Sequence, residues 1–379
     1  MPAVSKVLVV GGGIGGLTAA TALRQQGIAV DLAEKNPDHS VYGVGIIQPN
    51  NMLRALDRIG LADECVANGA PYSRWRIFDR DGHFMMDAPN SSDASPKHPP
   101  VNGMTRPKLQ HILLAAAREA GADLRVGVTV ESMTDDGDGV GVTFTDGSQG
   151  RYDFVIGCDG LFSDIRQRLF PDASRPEFTG QAVWRYNVPR SADQKDGAVY
   201  FGRQTKVGLV PMTPTLMYIF VVTHEPGNPF RPREGLAAEL RERMAEYGGL
   251  IADLRELITD DSGVVYKPME HLMLPAPWHK GRAIVIGDAA HGTTPHLNQG
   301  AAMAIEDAVL LAELLGRDAP LRPLLDEFMR RRFDRAKFVV DTSDQLADWE
   351  LQEWAGTRAP DARPGQLLGS ATMALMEAY

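Results

Sequence analysis

The feature of this sequence that most constrains its fold is a run of glycines between an apolar strand and a helix. Gly11-Gly12-Gly13-Ile14-Gly15-Gly16 follows the β-prone run Lys6–Val10 and precedes a predicted helix over residues 17–26. In the pattern G-x-G-x-x-G the first glycine permits a tight turn, the second lets the backbone approach a pyrophosphate, and the third allows close helix–strand packing. The start of the helix offers free N–H groups to the phosphates. This segment therefore predicts the first turn of a βαβ unit that binds a dinucleotide.

A second predicted strand, over residues 28–33, leads into Glu34. A carboxylate in this position accepts hydrogen bonds from ribose hydroxyls and repels a 2′-phosphate. Glycine-rich turns are common, so the glycine pattern alone is weak support for a nucleotide site. The strand before it, the helix after it, the second strand and the terminal acid together support the site. They do not distinguish NAD from FAD.

Composition excludes several classes of protein. The 379 residues carry a formal net charge of −10, which argues against nucleic acid as the main partner. Cys65 and Cys158 form no CxxC pair, so we predict neither a metal site nor a disulfide framework, and a reducing cytoplasm is the expected location. No apolar run reaches the roughly 20 residues that a membrane-spanning helix needs. A globular protein with two structural units is expected.

The middle of the chain has a different pattern from its ends. Residues 183–188, 208–211 and 218–223 are strand-like and are separated by Pro and Gly, which predicts an antiparallel sheet. The stretch 88–100 is rich in Ser, Asp and Pro and is predicted to be an exposed loop. The long helices are predicted over residues 106–120, 300–315 and 321–354.

Four later segments indicate which dinucleotide is bound. Asp153–Arg166 (DFVIGCDGLFSDIR) resembles the DG motif of the class A FAD-dependent aromatic hydroxylases, a family of flavoprotein monooxygenases. Gly281–His291 (GRAIVIGDAAH) resembles the GD motif of that family. Pro295–Ala308 resembles its P-x-x-x-Q-G helix start, although Asn298 stands where many relatives have glycine, and Arg106–Leu109 resembles its R-x-x-L flavin contact. The segments occur in the order of the family and bracket nearly the whole chain.

The resemblance implies an α/β fold with a Rossmann-like FAD-binding domain, an inserted antiparallel β-sheet substrate domain and C-terminal helices. The cofactor would be noncovalent FAD. No second G-x-G-x-x-G follows a strand after Gly16, so a separate NAD(P)H-binding domain is not expected. As in the family it resembles, the protein would take hydride from NADH or NADPH bound only transiently. The FAD-binding domain would comprise residues 1–72, 101–174 and 276–379, and the substrate-binding domain residues 73–100 and 175–275.

The same resemblance assigns cofactor contacts. Asp288, at the end of a buried strand, could accept hydrogen bonds from ribityl hydroxyls. The helix beginning at Gly300 would direct its N–H groups and positive dipole end at the N1–C2=O edge of the flavin, which is negative when reduced. Asp159 and Arg166 would lie near the pyrophosphate, although Asp159-Gly160 alone is also typical of a β-turn. The full set of predicted cofactor-binding residues is Gly11, Gly13, Ile14, Gly15, Gly16, Glu34, Lys35, Gly45, Gln48, Arg106, Val130, Asp159, Arg166, Gly287, Asp288, Pro295, Gln299, Gly300 and Ala301.

Three residues are candidates for substrate chemistry. His296 is predicted to lie near the reactive face of the flavin and to bind a phenolate or carboxylate; the alternative is a histidine that only bonds backbone. Tyr218 could direct its hydroxyl into the cavity or be a core tyrosine. Arg185 could bind a substrate carboxylate in bidentate fashion or form a structural ion pair. The predicted catalytic set is His296, Tyr218 and Pro295, and the predicted substrate-binding set is Arg185, Met212 and His224.

The resemblance implies that O2 and NAD(P)H are used to hydroxylate a small aromatic or N-heteroaromatic ring of phenol, hydroxybenzoate or hydroxypyridine type, through a C4a-hydroperoxyflavin. Two alternatives stay open. One is a monooxygenase of the same fold acting on a non-phenolic polyketide, purine or antibiotic, and the other is a flavin-binding module without turnover. A homodimer is common in the family, but the sequence does not set the oligomeric state. Arg330–Arg332 is expected to be a solvated face or an interface ion-pair cluster, not a nucleic-acid site.

Overall fold

The computed structural model describes residues 2–38 and 43–379. The strands are β1 (Lys6–Val10), β2 (Ala29–Glu34), β3 (Gly45–Pro49), β4 (Ala70–Tyr72), β5 (Arg74–Asp79), β6 (Phe84–Pro89), β7 (Val101–Thr105), β8 (Asp123–Val126), β9 (Val130–Asp135), β10 (Val140–Phe144), β11 (Gln149–Tyr152), β12 (Phe154–Gly157), β13 (Glu177–Pro189), β14 (Gly197–Phe201), β15 (Thr205–Pro211), β16 (Leu216–His224), β17 (Val265–His271), β18 (His279–Lys280) and β19 (Ala283–Val285). The helices are α1 (Ile14–Gln25), α2 (Asn50–Asp57), α3 (Ala62–Ala67), α4 (Arg106–Glu119), α5 (Asp164–Leu169), α6 (Leu236–Arg243), α7 (Gly249–Arg255), α8 (Asp288–His291), α9 (Gly300–Leu315), α10 (Leu321–Trp354) and α11 (Pro364–Ala374). Single 3-10 turns span Asp261–Gly263 and Pro295–Leu297.

A mostly parallel six-stranded sheet has the order β18-β19-β12-β1-β2-β8. Strands β1 and β12 are short apolar runs without polar alternation, which is typical of strands buried on both faces. β1 lies between β2 and β12, so strands far apart in the sequence end side by side. Ligands of open α/β sheets bind beyond the carboxyl ends of the strands. The predicted α/β fold is confirmed, and its ligand edge is the edge where β1, β12 and β19 end.

A seven-stranded sheet has the order β17-β13-β16-β15-β14-β5-β6. Its neighbours are antiparallel except β14 and β5, which run parallel. The predicted antiparallel sheet is confirmed, and its strands are longer than predicted because pairing continues beyond the apolar cores of β13 and β16. Two smaller antiparallel sheets have the orders β3-β7-β4 and β11-β10-β9.

The two faces of the seven-stranded sheet have different roles. Trp184 and Ile219 belong to a buried apolar cluster with Leu240 of α6, so helices cover this face. Neighbouring side chains along a strand point to opposite faces. Arg185 and Tyr218 therefore project from the other face, which lies toward the ligand edge of the six-stranded sheet.

The segment between β6 and β7 has no helix or strand over residues 90–100, in agreement with most of the predicted loop, but Ala88 and Pro89 belong to β6. It is not exposed throughout, because Ser95 and His98 are buried. Asn50 accepts the backbone N–H of Ser95 at 2.7 Å and donates to the carbonyls of Ser95, His98 and Pro99. The prediction of exposure was wrong at these positions, since Asn50 anchors the loop to α2.

Helices α9 and α10 pack around buried charges. Arg332 has no exposed side-chain surface and donates to Glu306 and to Asp307, each at 2.7 Å. Arg335 adds a second cation beside Glu306, at 2.8 Å. Buried charges persist only when they are paired. The expectation of a solvated face was therefore wrong for Arg332, which α10 turns inward against α9.

Helix α10 connects the two large sheets. Its 34 residues pack first on α9, and its last residue, Trp354, contacts the cluster of Val183 and Val222 on the seven-stranded sheet. Within the residues that the structure describes, no helix has the length and apolar character that crossing a membrane requires.

Candidate functional site

The loop after β1 is a cradle of glycines. Gly11 has φ +107°, and a Cβ there would lie 2.4 Å from the carbonyl oxygen of Cys158. A Cβ on Gly16 would lie 1.9 Å from the carbonyl oxygen of Gly11, so this position also excludes any side chain. A Cβ on Gly13, in contrast, would meet no atom within 4 Å, so the backbone of this residue faces open space. The three glycines of the pattern therefore have the roles of turn, packing and open backbone that a pyrophosphate site needs.

Two adjoining cavities of about 330 and 230 Å³ lie beyond the ends of β1, β12 and β19. Gly13, Cys158 and Gly160 line both, so the cavities form one elongated cleft. The predicted residues that line the larger cavity are Gly13, Ile14, Gly15, Gly45, Arg106, Arg185, Tyr218, Gly287, Asp288, Pro295, Gln299, Gly300 and Ala301. Those that line the smaller cavity are Gly11, Gly13, Glu34, Lys35 and Asp159.

Glu34 is held in place by backbone groups at the end of β2. Its Oε2 accepts the N–H of Gly12 at 2.6 Å, and its Oε1 accepts the N–H of Asn36 at 2.7 Å. Each carboxylate oxygen can still accept a further hydrogen bond. The carboxylate is thus already oriented at the wall of the smaller cavity, where two hydroxyls of a ribose could reach it.

The larger cavity ends at the start of α9. The side chain of Gln299, directly before this helix, exchanges two hydrogen bonds with Asn51 of α2, at 2.9 and 3.2 Å. Asn51 also donates to Glu306 at 3.1 Å, so the tip of α9 is fixed from inside the protein. The first N–H groups of α9 have no helical partners and can bind an anion. The sequence did not reveal the role of Asn51; the only signal was a pair of adjacent asparagines at a helix start.

Asp288 and His291 of α8 have different surroundings. The side chain of Asp288 is accessible from the larger cavity, yet burial raises its pKa, while the charges of His291 and Arg106 oppose that rise. His291 is buried and its Nε2 lies 2.6 Å from Asp307 Oδ2. Asp307 also accepts the N–H of Gly287 at 2.9 Å, which fixes the turn before Asp288. Asp288 therefore presents its carboxylate to the cavity from a rigid support.

The cleft fits FAD. An acid stands at one end, an open glycine backbone in the middle and a helix start at the other end, in the order of ribose, pyrophosphate and flavin along the cofactor. Glu34, Gly13 and Gly300 would hold these three parts.

Four predicted cofactor residues line neither cavity: Gly16, which is taken up by the close packing described above, and Arg166, Gln48 and Val130. Arg166 is buried and donates to the carbonyls of Ala289 and Leu161, so it ties the DG segment to the GD segment instead of reaching the cleft. Gln48 is fully buried and accepts from Asn102 at 2.7 Å. Val130 accepts from Arg168 through its backbone carbonyl. These side chains make internal contacts and do not reach either cavity, so their predicted contacts with the cofactor stay predictions.

Arg185 and Tyr218 face the larger cavity together. Burial raises the pKa of Tyr218 to about 12, although Arg185 and Arg106 oppose this, so the hydroxyl stays protonated at neutral pH. Burial lowers the pKa of Arg185, and Tyr218 opposes that change. Among the described residues neither side chain has an ion-pair or hydrogen-bond partner. The alternative of a structural ion pair for Arg185 is therefore not supported, and a cation and a hydroxyl donor are both available to a ligand.

The remaining substrate candidates do not line the cavity. His296 turns away from it, with Nδ1 2.8 Å from Thr294 Oγ1 and Nε2 3.4 Å from Glu350 Oε2. Met212 is fully buried behind Tyr218, and His224 is exposed at the far end of β16. Neither histidine therefore lies where it was predicted. The ring of His296 is oriented toward Glu350 on α10, and His224 is the last residue of β16, outside the cavity lining.

Replacing Glu34 with Lys should weaken FAD binding by about 100-fold or more, because it removes two charge-assisted hydrogen bonds of about 1.5–3 kcal/mol each and introduces a cation. Titration of apo-protein with FAD, followed by flavin fluorescence, measures the dissociation constant. Glu119→Lys, on the exposed surface of α4, makes the same charge change and should bind FAD normally. Equal affinity of the two variants for FAD would contradict the proposal that Glu34 binds the ribose hydroxyls.

Gly45→Ala should disturb the larger cavity, because its Cβ would lie 2.1 Å from Cδ1 of Tyr218 and 2.6 Å from Sδ of Met212. The tyrosine ring must move, and a displacement near 1 Å costs on the order of 100-fold in rate. Steady-state kcat/KM, together with FAD content, measures the effect. Gly43→Ala is the matched control, since a Cβ there meets no atom within 4 Å. Wild-type activity of Gly45→Ala would show that the ring position is unimportant.

Comparison with known proteins agrees with this geometry. The chain matches the family described as "FAD binding domain" over residues 4–343. It is 30% identical over 375 residues to the "Putative FAD-dependent monooxygenase YetM" of Bacillus subtilis (strain 168), covering 98% of this chain and 99% of that protein. It is 32% identical over 353 residues to a "2-heptyl-3-hydroxy-4(1H)-quinolone synthase" of Pseudomonas aeruginosa (strain UCBPP-PA14), covering 91% and 90%. It resembles the structure of Klebsiella pneumoniae HpxO complexed with FAD and uric acid with a TM-score of 0.86 at 25% identity, covering 98% of this chain and 97% of that chain.

The family match spans both ends of the cleft, from the glycine cradle through α9 and into α10. Relatives that match over nearly their whole length include named FAD-dependent monooxygenases. The chain therefore belongs to the FAD-binding-domain family, and it is an FAD-dependent flavoprotein monooxygenase of the class A type.

Proposed function

We propose that the enzyme uses NADH or NADPH and O2 to hydroxylate a small N-heteroaromatic or aromatic ring that carries an ionisable hydroxyl or carboxyl group. The observation that carries this proposal is the pair of Arg185 and Tyr218, which face the larger cavity without partners among the described residues. When bound, FAD supplies the hydride acceptance and the O2 activation that the reaction needs. The residues of the chain then have to bind, orient and ionise the ring.

Arg185 would both position and activate the substrate. A guanidinium beside a phenol or hydroxypyridine favours the anionic form, so it lowers the pKa of the ring hydroxyl, and the proton passes to water. A ring that carries negative charge is a better target for an electrophilic oxygen atom. This role takes the place of the one expected of His296, whose ring lies outside the cavity.

Tyr218 would act as a hydrogen-bond donor. Because burial raises its pKa to about 12, the hydroxyl is protonated at neutral pH and is unsuited to be a general base. It can donate to a ring nitrogen or to the oxyanion that Arg185 stabilises. Ile46 and Ile47, also in the wall, supply apolar surface that limits the access of water.

An N-heteroaromatic ring has additional support. The quinolone synthase and the structure with uric acid concern nitrogen heterocycles, and both proteins resemble this chain over nearly its whole length. The second of these also keeps the purine alternative open. Neither comparison supports a flavin-binding module without turnover.

The test is a screen of hydroxylated aromatic acids and N-heterocycles for stimulated NADH or NADPH oxidation, with product analysis and a peroxide assay. Each acid is paired with its neutral amide. We expect hydroxylated product with acids or ionisable heterocycles, and little with their amides. Stimulation that yields only peroxide would contradict the proposal. So would equal turnover of ionisable rings and of counterparts in which the carboxyl is an amide and the hydroxyl a methyl ether.

A further inference from the structure

A buried carboxylate outside the cavity gathers contacts from three separate parts of the chain. Glu350, near the end of α10, has only 12% of its side chain exposed. Its Oε1 accepts from Nζ of Lys206 on β15 at 2.5 Å, and its Oε2 accepts from Nε2 of Gln181 on β13 at 2.8 Å. The same Oε2 lies 3.4 Å from Nε2 of His296. One side chain of α10 thus links two strands of the seven-stranded sheet with the loop before α9.

The chemistry of these groups fixes the direction of the hydrogen bonds. An ionised carboxylate only accepts, so Nε2 of His296 carries the proton that faces Glu350. Burial lowers the pKa of His296, and Lys206 lowers it further, while Glu350 opposes them, so the ring is neutral at pH 7. Its Nδ1 is then an acceptor, and the hydroxyl of Thr294 donates to it at 2.8 Å. The chain of bonds runs from Thr294 through His296 to Glu350.

This chain ends at the wall of the larger cavity. Thr294 and Pro295 line that cavity and lie directly before the tip of α9. Gln181 and Arg185 are four residues apart on β13, so their side chains project from the same face of the strand. Glu350 is therefore bonded both to the loop on one side of the cavity and to the strand that carries Arg185 on the other.

We propose that Glu350 is a positioning residue for hydroxylation. Through His296 it holds the Thr294–Pro295 wall, and through Gln181 it sets the distance of that wall from Arg185. This inference rests on the proposed function, which assigns the larger cavity to the substrate. It goes beyond that function because Glu350 touches neither the cavity nor any predicted cofactor contact.

The test compares Glu350→Gln with Glu353→Gln in the FAD-loaded enzyme. Glu353 is on the same helix, has 54% of its side chain exposed and pairs with Arg358 at the surface. We expect Glu350→Gln to increase amide hydrogen exchange in residues 292–300 and to change the visible absorption spectrum of bound FAD. We expect about a 10- to 100-fold lower kcat with a smaller change in KM, and more peroxide per product, since misplaced walls impair chemistry more than binding. Glu353→Gln should match wild type in every measurement.

A second pair of variants keeps the inference testable if Glu350→Gln folds poorly. His296→Ala breaks the chain of bonds, whereas His296→Gln keeps a donor that can reach Glu350. We expect His296→Ala to reproduce the exchange, spectral and kinetic changes and His296→Gln to restore most of the loss. A general loss of structure would affect both variants alike.

Unchanged exchange over 292–300 and unchanged FAD absorption in Glu350→Gln and His296→Ala would overturn the positioning role. Equal defects in His296→Ala and His296→Gln would also overturn it, in favour of a packing role. These readouts require no substrate. A changed exchange and spectrum in an enzyme that no aromatic ring stimulates would therefore refute the proposed function and leave the positioning of the wall supported.

Discussion

Replacing Arg332 with Met should lower the free energy of unfolding by about 3–5 kcal/mol, because it removes the fully buried cation that two buried carboxylates share. It leaves Arg335 as the closest ionic partner of Glu306 and His291 as that of Asp307. Glu306 and Asp307 have no exposed side-chain surface, and Arg332 bonds to both. Methionine keeps much of the volume, so the effect of charge is separated from that of a cavity. Urea unfolding followed by circular dichroism measures the change. Arg330→Met, at an exposed position on the same helix, is the control and should be close to wild type.

The pH dependence of this effect has a definite sign. Burial raises the pKa of Glu306 and of Asp307, but neighbouring cations, Arg332 among them, outweigh burial and hold both pKa values below the ordinary range. In the wild type their stabilisation is present above the unfolded pKa of about 4 and is lost as pH falls through the lower folded values. In Arg332→Met the carboxylates take up protons at higher pH. The stability difference should be largest near pH 7 and should shrink toward pH 4; a constant difference would contradict the role of charge.

Arg185→Met should reduce kcat/KM for an ionisable substrate by about 100- to 1,000-fold, since removing one partner of a buried charge pair costs about 2–5 kcal/mol. FAD content should be unchanged, because the cradle and Glu34 lie in other parts of the cleft. Steady-state kinetics with the best acid from the screen and with its amide measure the effect. Arg185→Lys keeps the charge but loses the planar fork, so an intermediate value is expected.

Arg203→Met is the matched control for this variant, since Arg203 is exposed at a turn of the same sheet. It should retain wild-type kinetics. An equal loss for the acid and its amide in Arg185→Met would show that the guanidinium does not recognise the carboxylate.

The sequence could predict the glycine cradle and helix α9 because their signals are local. The turn, the helix start and the acid after β2 follow one another within a single βαβ unit, and the predicted helix over residues 300–315 has the bounds of α9. The order of the motifs indicated the FAD-dependent monooxygenase family, which the comparisons confirm.

The direction of side chains on loops could not be predicted in this way. His296 lies on a 3-10 turn, and the carboxylate that decides its orientation is 54 residues away. The partner of Asn51 is 248 residues away, so its role depends on a contact that no local pattern contains. Arg332 belongs to a run of three arginines whose burial is set by the packing of α10 on α9. For His296 and Arg332 a distant partner overrides the local expectation.

Helix α10 has a consequence for how the molecule comes apart. It is about 50 Å long. Arg332 and Arg335 of the buried ion cluster lie in its first half, and its last residue packs against the seven-stranded sheet. Neither the region around α9 nor the seven-stranded sheet can unfold without removing contacts that stabilise α10. Calorimetry should therefore show one melting transition for both sheets, and a protease cut within α10 should release no stable fragment.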